Sequence, residues 1–244
     1  MQFSEIPKFY NNLMDGVPYN YWVLYLENIF KKLNISPSSI IDVCCGTGTV
    51  SDILHKKGYY VCGFDLSEGM IEEAKKNYPY IDFFIANAKD FSVNRKFDVA
   101  ISLFDSLNYI INTNDLVQAF KSVFNHLFDD GVFIFDLNTE YALSQNLFAQ
   151  VNLNPDSEIR YIWTPVWDPI NKLCTVDMVF KVNDKQGKEQ EFKEIHTQKA
   201  YSQTEIKNML TEAGFENIMV YNAYRFTEPT DKSDRIFIVA KKGA

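Results

Sequence analysis

Between positions 20 and 33 the apolar residues Trp22, Val23, Leu26, Ile29, Phe30 and Leu33 recur at helical spacing, and Ser36, Pro37 and Ser38 then break the pattern. The spacing predicts an opening helix that leads into the core. A regular alternation follows, with apolar runs that predict strands over 40–43, 59–64, 81–85, 98–103 and 132–136. Between them, helices are predicted over 50–57, 68–77 and 114–127. Asp129, Asp130 and Gly131 end the last helix, with Gly131 expected in the left-handed cap. Strands apolar on both faces that alternate with helices require a parallel sheet covered on both sides, joined by right-handed crossovers. The expected architecture is a doubly wound α/β fold.

From about 152 to 201 the texture changes to two-residue alternation, as in RYIW (160–163) and VDMVFKV (176–182). NDKQGK (183–188) predicts a hairpin turn and 192–200 the returning strand, so 152–200 is expected to be an antiparallel β insertion between core segments 1–151 and 201–244. A helix over 202–213 opens on SQTE, where Glu205 follows Ser202 at the spacing of a capping box, and Gly214 stops it. Strands over 218–223 and 235–240 close the chain.

Composition narrows the function classes. With 244 residues, 46% of them hydrophobic and 15% aromatic, the chain fits one elaborated globular domain. Its net charge of -8 lacks the basic excess that draws nucleic acid or an anionic membrane surface, so neither is expected as a partner. The start, MQFSEIPKFY, does not read as a secretory signal, and no apolar run approaches a membrane span, so a cytoplasmic protein is expected. Cys44, Cys45, Cys62 and Cys174 have no metal-ligand spacing, so no metal site is expected, and the apolar setting of the first three predicts buried, reduced thiols.

The chemistry concentrates in IIDVCCGTGTV (40–50), at the end of the first predicted core strand. In doubly wound sheets, ligands lie at the carboxyl ends of strands beside the point where strand order reverses. Gly46 and Gly48 allow a tight turn and close approach of a ligand to the backbone. The dinucleotide fingerprint fails here: Ser51 replaces its third glycine, and Asp42 would repel a pyrophosphate. A cationic ligand such as S-adenosylmethionine turns that repulsion into attraction and has no phosphate to seat. Asp65 ends the second core strand 19 residues after Gly46, near the spacing expected of an acid that binds ribose hydroxyls.

The succession DVCCGTGT, FDLSEGM, ANAKDF, FDVAISLFDSLNYI and FDDGVFIFDLN resembles the class I S-adenosylmethionine-dependent methyltransferases. FYNNLMDGVPYNYW, the insertion and EIHTQKAYSQTEIKNMLTEAGF further resemble a subgroup of small-molecule N-methyltransferases, such as those acting on nucleotide-linked aminosugars. The resemblance implies a Rossmann-like sheet, mostly parallel with an antiparallel last strand, and an antiparallel insertion after the fifth strand. It implies S-adenosyl-L-methionine as cofactor, its methionine end held by Asp42 and the backbone at Cys44 and Gly46. Asp65 would bind the ribose, Leu66 and Met70 would pack near the adenine, Asn87 and Ala88 would meet the adenine edge, and the Leu103 carbonyl would face the amino group. Cys44 stands where the family usually has its first glycine, and Asn87 where an acid is common.

Methyl transfer needs alignment and a free lone pair above all, so a base residue is optional. Tyr10 matches a family position that closes the cofactor site near the methyl, and Tyr109 follows the fourth strand at the pocket mouth. His196 alternates with Glu194 and Gln198 on one face of the last insertion strand, either covering the cleft or facing solvent. Tyr10, Tyr109 and His196 are the catalytic candidates; His55 and His126 are expected on the surface, and Arg235 in an ion pair within the fold. The expected acceptor is a small molecule, with an amine nitrogen favoured over RNA or protein. A non-catalytic cofactor-binding module is the alternative class. The insertion is left open as a lid, an acceptor wall or a homodimer contact.

Overall fold

The computed structural model describes residues 2–183 and 189–243. Strand β1 (Ser39–Val43) is buried at all five positions and lies in the interior of a seven-stranded sheet. It runs parallel to β2 (Tyr60–Asp65) on one side and to β4 (Phe97–Ser102) on the other, with Asp42 opposite Gly63 and Ile101. β3 (Asp82–Ile85) extends the sheet beyond β2, and β5 (Leu127–Asn138) lies beside β4. Antiparallel β11 (Arg235–Lys242) then pairs with β5, and β10 (Phe215–Asn222) completes the order β3-β2-β1-β4-β5-β11-β10. This is the mostly parallel sheet with an antiparallel last strand that the family resemblance implies. Strand order reverses between β1 and β4, which places a crevice at their carboxyl ends.

Alternation along the strands divides the core into two layers. Ala100, Phe133 and Phe135 point to the side covered by α5 (Thr113–Asn125) and α7 (Gln203–Glu212), where Leu116, Phe120, Ile206 and Leu210 meet them. Val99, Ile101 and Ile134 point to the opposite side, against Val23, Leu26, Ile29 and Phe30 of α2 (Tyr19–Leu33). Ser202 and Glu205 form the reciprocal capping box at the start of α7, with Glu205 N–H donating to Ser202 Oγ at 3.2 Å and Ser202 N–H to Glu205 Oε2 at 2.8 Å. No helix of the described residues is long and apolar enough to cross a membrane.

The insertion is a second, antiparallel sheet in the order β6 (Gln150–Asn152), β7 (Ile159–Asp168), β8 (Leu173–Asn183) and β9 (Glu189–Lys199). It starts slightly before the predicted boundary. Apart from Asn183, the predicted turn NDKQGK lies outside the described residues. Cys174, Val176, Met178, Phe180 and Val182 are buried on one face and join Ile6, Leu143 and Ile159 in a core of their own.

One predicted turn is built differently. Helix α5 stops at Asn125, β5 begins at Leu127, and the left-handed residue is Asp130 (φ 64°), not Gly131. Glycine is needed at 131 for close approach: a Cβ there would come within 2.7 Å of the Phe128 carbonyl oxygen and 3.2 Å of that of Asp98. Gly131→Ala is therefore expected to lower stability by about 1–3 kcal/mol, as overpacking does. Thermal unfolding measures this, and an unchanged midpoint would show that the bulged start of β5 yields.

Candidate active site

The loop after β1 is shaped by residues in the left-handed region: Cys44 (φ 60°), Gly46 (φ 54°) and Gly48 (φ 80°). Glycine adopts this conformation freely, whereas Cys44 does so at a cost of order 1 kcal/mol, and such strain persists where surrounding structure enforces it. Here Cys45 N–H donates to the Phe64 carbonyl at 2.9 Å, tying the loop to the end of β2. Nothing lies within 4 Å of the Cβ position of Gly46, so the loop presents open backbone to the crevice before α3 (Thr49–Lys56) begins.

Two carboxylates flank the loop. Asp65 accepts from Gly46 N–H through Oδ2 and from Ser67 N–H through Oδ1, both at 2.9 Å, which fixes the carboxylate and leaves each oxygen a further lone pair. Burial still pushes its pKa up, against these hydrogen bonds. Asp42 is only 3% exposed, and its one side-chain partner among the described residues is Ser51, whose hydroxyl donates to Oδ2 at 2.5 Å. Burial, with Asp65 nearby, pushes Asp42 up to about 7 despite the Ser51 bond. The residue that breaks the dinucleotide fingerprint is thus the residue that holds the acid. Burial and the same two acids push the Cys44 thiol up, so it stays protonated.

Above the crevice, three parts of the chain meet. Glu194 of β9 has a buried carboxylate that accepts from the backbone N–H of Phe3 at 3.0 Å, of Glu5 at 2.7 Å and of Ile6 at 2.9 Å. His196 Nε2 lies 2.6 Å from the same carboxylate. Burial pushes Glu194 up, but the His196 and backbone hydrogen bonds outweigh it and hold the carboxyl below its usual range. An ionised carboxylate can only accept, so neutral His196 carries its proton on Nε2 and presents Nδ1 as a lone pair. Tyr109 O–H, 3.3 Å away, then donates to Nδ1. The Phe3 ring packs edge-on against His196, with centroids 4.4 Å apart. Beside this group, Arg235 bridges Asp105 and Asp136, and Gln198 donates to Asp105 and accepts from Asn138. Arg235 is in the ion pair the sequence predicts.

All of the predicted site residues line one cavity of about 690 Å³, within the range of small-molecule sites of about 300–1,000 Å³. Asp42, Cys44, Gly46, Asp65, Leu66, Met70, Asn87, Ala88 and Leu103 ring its lower part, at the carboxyl ends of the parallel strands. Tyr10, Tyr109 and His196 line its upper part. Three details differ from expectation. The Gly46 N–H is committed to Asp65, Leu66 is 61% exposed at the rim, and the Leu103 carbonyl already accepts from Ser106 Oγ at 2.9 Å. Burial raises the phenols of Tyr10 and Tyr109 well above their usual range, so both are protonated. The face carrying Glu194, His196 and Gln198 covers the cleft and does not face solvent.

His126 is bound more firmly than a surface histidine: it sits 2.7 Å from the Ser122 carbonyl, accepts from Val93 N–H at 3.2 Å and stacks on Phe91 at 4.4 Å. Helix periodicity alone gives no sign of those partners. Phe3 and Ser51 also escape sequence reasoning, because their partners are 191 and 9 positions away and no motif links them.

A parallel sheet reversing at β1 and β4, an open glycine loop and two acids beside it in place of a phosphate cradle define the class of Rossmann-like S-adenosylmethionine-dependent methyltransferases. Comparison with known proteins agrees. Residues 40–131 match a methyltransferase domain family. A putative methyltransferase of Geobacillus sp. (strain WCH70) is 30% identical over 247 residues, covering 99% of this chain and 100% of the relative. An S-adenosylmethionine-dependent methyltransferase from Clostridium acetobutylicum ATCC 824 has a crystal structure that superposes with a TM-score of 0.86 at 29% identity, over 97% of this chain and 99% of that one. The dTDP-3-amino-3,4,6-trideoxy-alpha-D-glucopyranose N,N-dimethyltransferase of Streptomyces venezuelae is 35% identical over 109 residues, 45% of this chain and 46% of that protein. The chain belongs to the methyltransferase family, and S-adenosylmethionine is its cofactor.

The raised Asp42 gives a signed prediction. Its folded-state pKa lies above the unfolded value, so keeping it ionised costs stability that is absent near pH 4, grows as pH rises towards about 7 and is constant above that. Asp42→Asn is expected to raise the melting temperature of the ligand-free protein at about pH 8 and to leave it unchanged near pH 4. Calorimetric scans at both pH values measure the difference, and equal effects at both would remove Asp42 from the account.

Proposed function

We propose that the chain transfers a methyl group to a small-molecule amine, and that the predicted residues carry the roles their positions suggest. The observation that carries this reading is the Glu194–His196–Tyr109 chain of hydrogen bonds, set into the wall of the cavity that holds the glycine loop. Asp42 attracts the cationic methionine end, assisted by the open backbone at Cys44 and Gly46. Asp65 offers its remaining lone pairs to the ribose hydroxyls. Met70, Ala88 and Leu66 supply apolar contact for the adenine, while Asn87 and the second lone pair of the Leu103 carbonyl meet its polar edge. Tyr10 closes the cavity over the reacting centre. The fit is favourable because both acids are fixed and each retains acceptor capacity.

S-adenosylmethionine, held by Asp42, Asp65 and the glycine loop, would supply an electrophilic methyl to the amine nitrogen and would leave as the thioether. The protein must hold the amine as its neutral form, since an ammonium has no lone pair. Tyr109 oxygen accepts the amine proton as the Tyr109 proton passes to His196 Nδ1, and the imidazolium is stabilised by the buried Glu194 carboxylate. Tyrosinate need not form, consistent with a phenol whose pKa burial raises. The names of the Streptomyces relative and of a Saccharopolyspora spinosa relative, dTDP-4-amino-2,3,4,6-tetradeoxy-D-glucose N,N-dimethyltransferase, support nitrogen as the methylated atom.

Labelled methyl transfer to a panel of small amines, read by mass spectrometry, tests the reaction. His196→Ala is expected to lower kcat about 10²–10⁴-fold. Asp65→Ala is expected to weaken S-adenosylhomocysteine binding by about 1–3 kcal/mol in calorimetry. Unchanged affinity in a folded Asp65→Ala protein would end the ribose assignment, and absence of transfer to every amine would leave a non-amine acceptor or the non-catalytic module.

A further inference from the structure

The part of the cavity under the second sheet has a chemical gradient set by strand register. Trp163 of β7 is opposite Met178 of β8, and Met178 is opposite Glu194 of β9. In the same way Pro165 is opposite Val176, which is opposite His196. Successive positions on the same face continue the pattern, with Tyr161, Phe180 and Phe192 in one row and Trp167, Cys174 and Gln198 in another. Side chains two apart share a face, so the part of this wall that lines the cavity runs from Tyr161 and Trp163 on β7, through Cys174, Val176, Met178 and Phe180 on β8, to His196 and Gln198 on β9. Tyr161, Trp163 and Phe180 form a mutual ring cluster at 5.2–6.4 Å between centroids. The proton-accepting group lies only at the β9 edge.

Charge sharpens the gradient. Among the described residues that line the cavity, Arg235 is the one lysine or arginine, and its guanidinium is already bridged between Asp105 at 2.6 Å and Asp136. Asp42 and Asp65 line the opposite part. A phosphate entering this space would meet three carboxylates and no free cation, and a desolvated anion without a charged partner is strongly disfavoured. An apolar body gains from the same wall through burial and ring contact.

We infer that the acceptor is a phosphate-free arylalkylamine: its nitrogen is held at Tyr109 and His196, and its ring lies along Val176, Met178 and Trp163. This rests on the amine reading proposed above, but departs from the nucleotide-linked sugars in the names of the Streptomyces and Saccharopolyspora relatives, whose diphosphate this wall does not serve. The wall selects against phosphate and for a flat apolar body, while the edge selects for a basic nitrogen.

The test is calorimetry on the full chain, with and without saturating S-adenosylhomocysteine, using 2-phenylethylamine, tryptamine, thymidine diphosphate and a thymidine-diphosphate-linked aminosugar as titrants. The expected result is binding of the two arylalkylamines at least about tenfold tighter than either diphosphate, in keeping with about 1.4 kcal/mol per tenfold. Met178→Lys, which places a cation on the wall, is expected to weaken the amines at least about tenfold and to narrow their lead over the diphosphates. Should that variant not fold, Val176→Thr, nearly equal in volume but polar, is expected to weaken tryptamine severalfold. Tighter binding of the aminosugar diphosphate, or failure of both amines to bind in either condition, would overturn the inference. Failure of S-adenosylhomocysteine alone to bind counts against the cofactor roles proposed above, while the titrations without it still decide the acceptor class.

Discussion

One buried carboxylate ties together three distant parts of this chain. Glu194 accepts three backbone N–H groups from residues 3 to 6 and the Nε2 proton of His196, so the N-terminal strap, the second sheet and the titratable group of the site share a single anchor. Hydrogen bonds to a charged acceptor are worth roughly twice neutral ones, and an unpaired buried carboxylate is costly, so the strap and Glu194 stabilise each other. The strap in turn roofs the cavity: Phe3 lies against His196 and Tyr109, and its carbonyl accepts from Ser67 Oγ at 2.9 Å, next to Asp65. Shape of the cavity and tautomer of its histidine therefore have one physical origin.

The lower and upper parts of the cavity use acidity in opposite ways. Among the described residues Asp42 and Asp65 have no ion-pair partner, and burial raises both despite their hydrogen bonds, which leaves a local preference for positive charge at the glycine loop. Glu194 is held by backbone N–H groups and His196, and Asp105 and Asp136 share Arg235, although burial still raises Asp136. The unpaired acids border the glycine loop, while the paired ones lie in the walls around it. Three left-handed residues, Cys44 after β1 and Phe104 and Asp105 after β4, border the cavity.

Strand and helix periods, glycine positions and cap chemistry are local properties, and they made the parallel sheet, the antiparallel insertion, the capping box at Ser202 and the acid-bearing loop legible from sequence. Boundaries moved by one or a few residues because pairing partners, and not propensity, decide where a strand ends, as at β5, where Gly131 serves a close contact with Phe128 and Asp98. Two-residue spacing put Glu194, His196 and Gln198 on one face, but could not say which way that face pointed. Only packing of Val176, Met178 and Phe180 into the core shared with Ile6 turned it toward the cleft.

The sequence by itself determined the fold class and the preference for a cationic cofactor, because both rest on periodicity and on the spacing of Asp42, Gly46 and Asp65 within one βαβ unit. The tertiary structure alone decided that Ser51 holds Asp42, that Glu194 fixes both the strap and the His196 proton, and that Arg235 has no charge to spare. Each of those depends on side chains brought together by folding, where the energy of a buried charge is set by its surroundings and not by its neighbours in sequence.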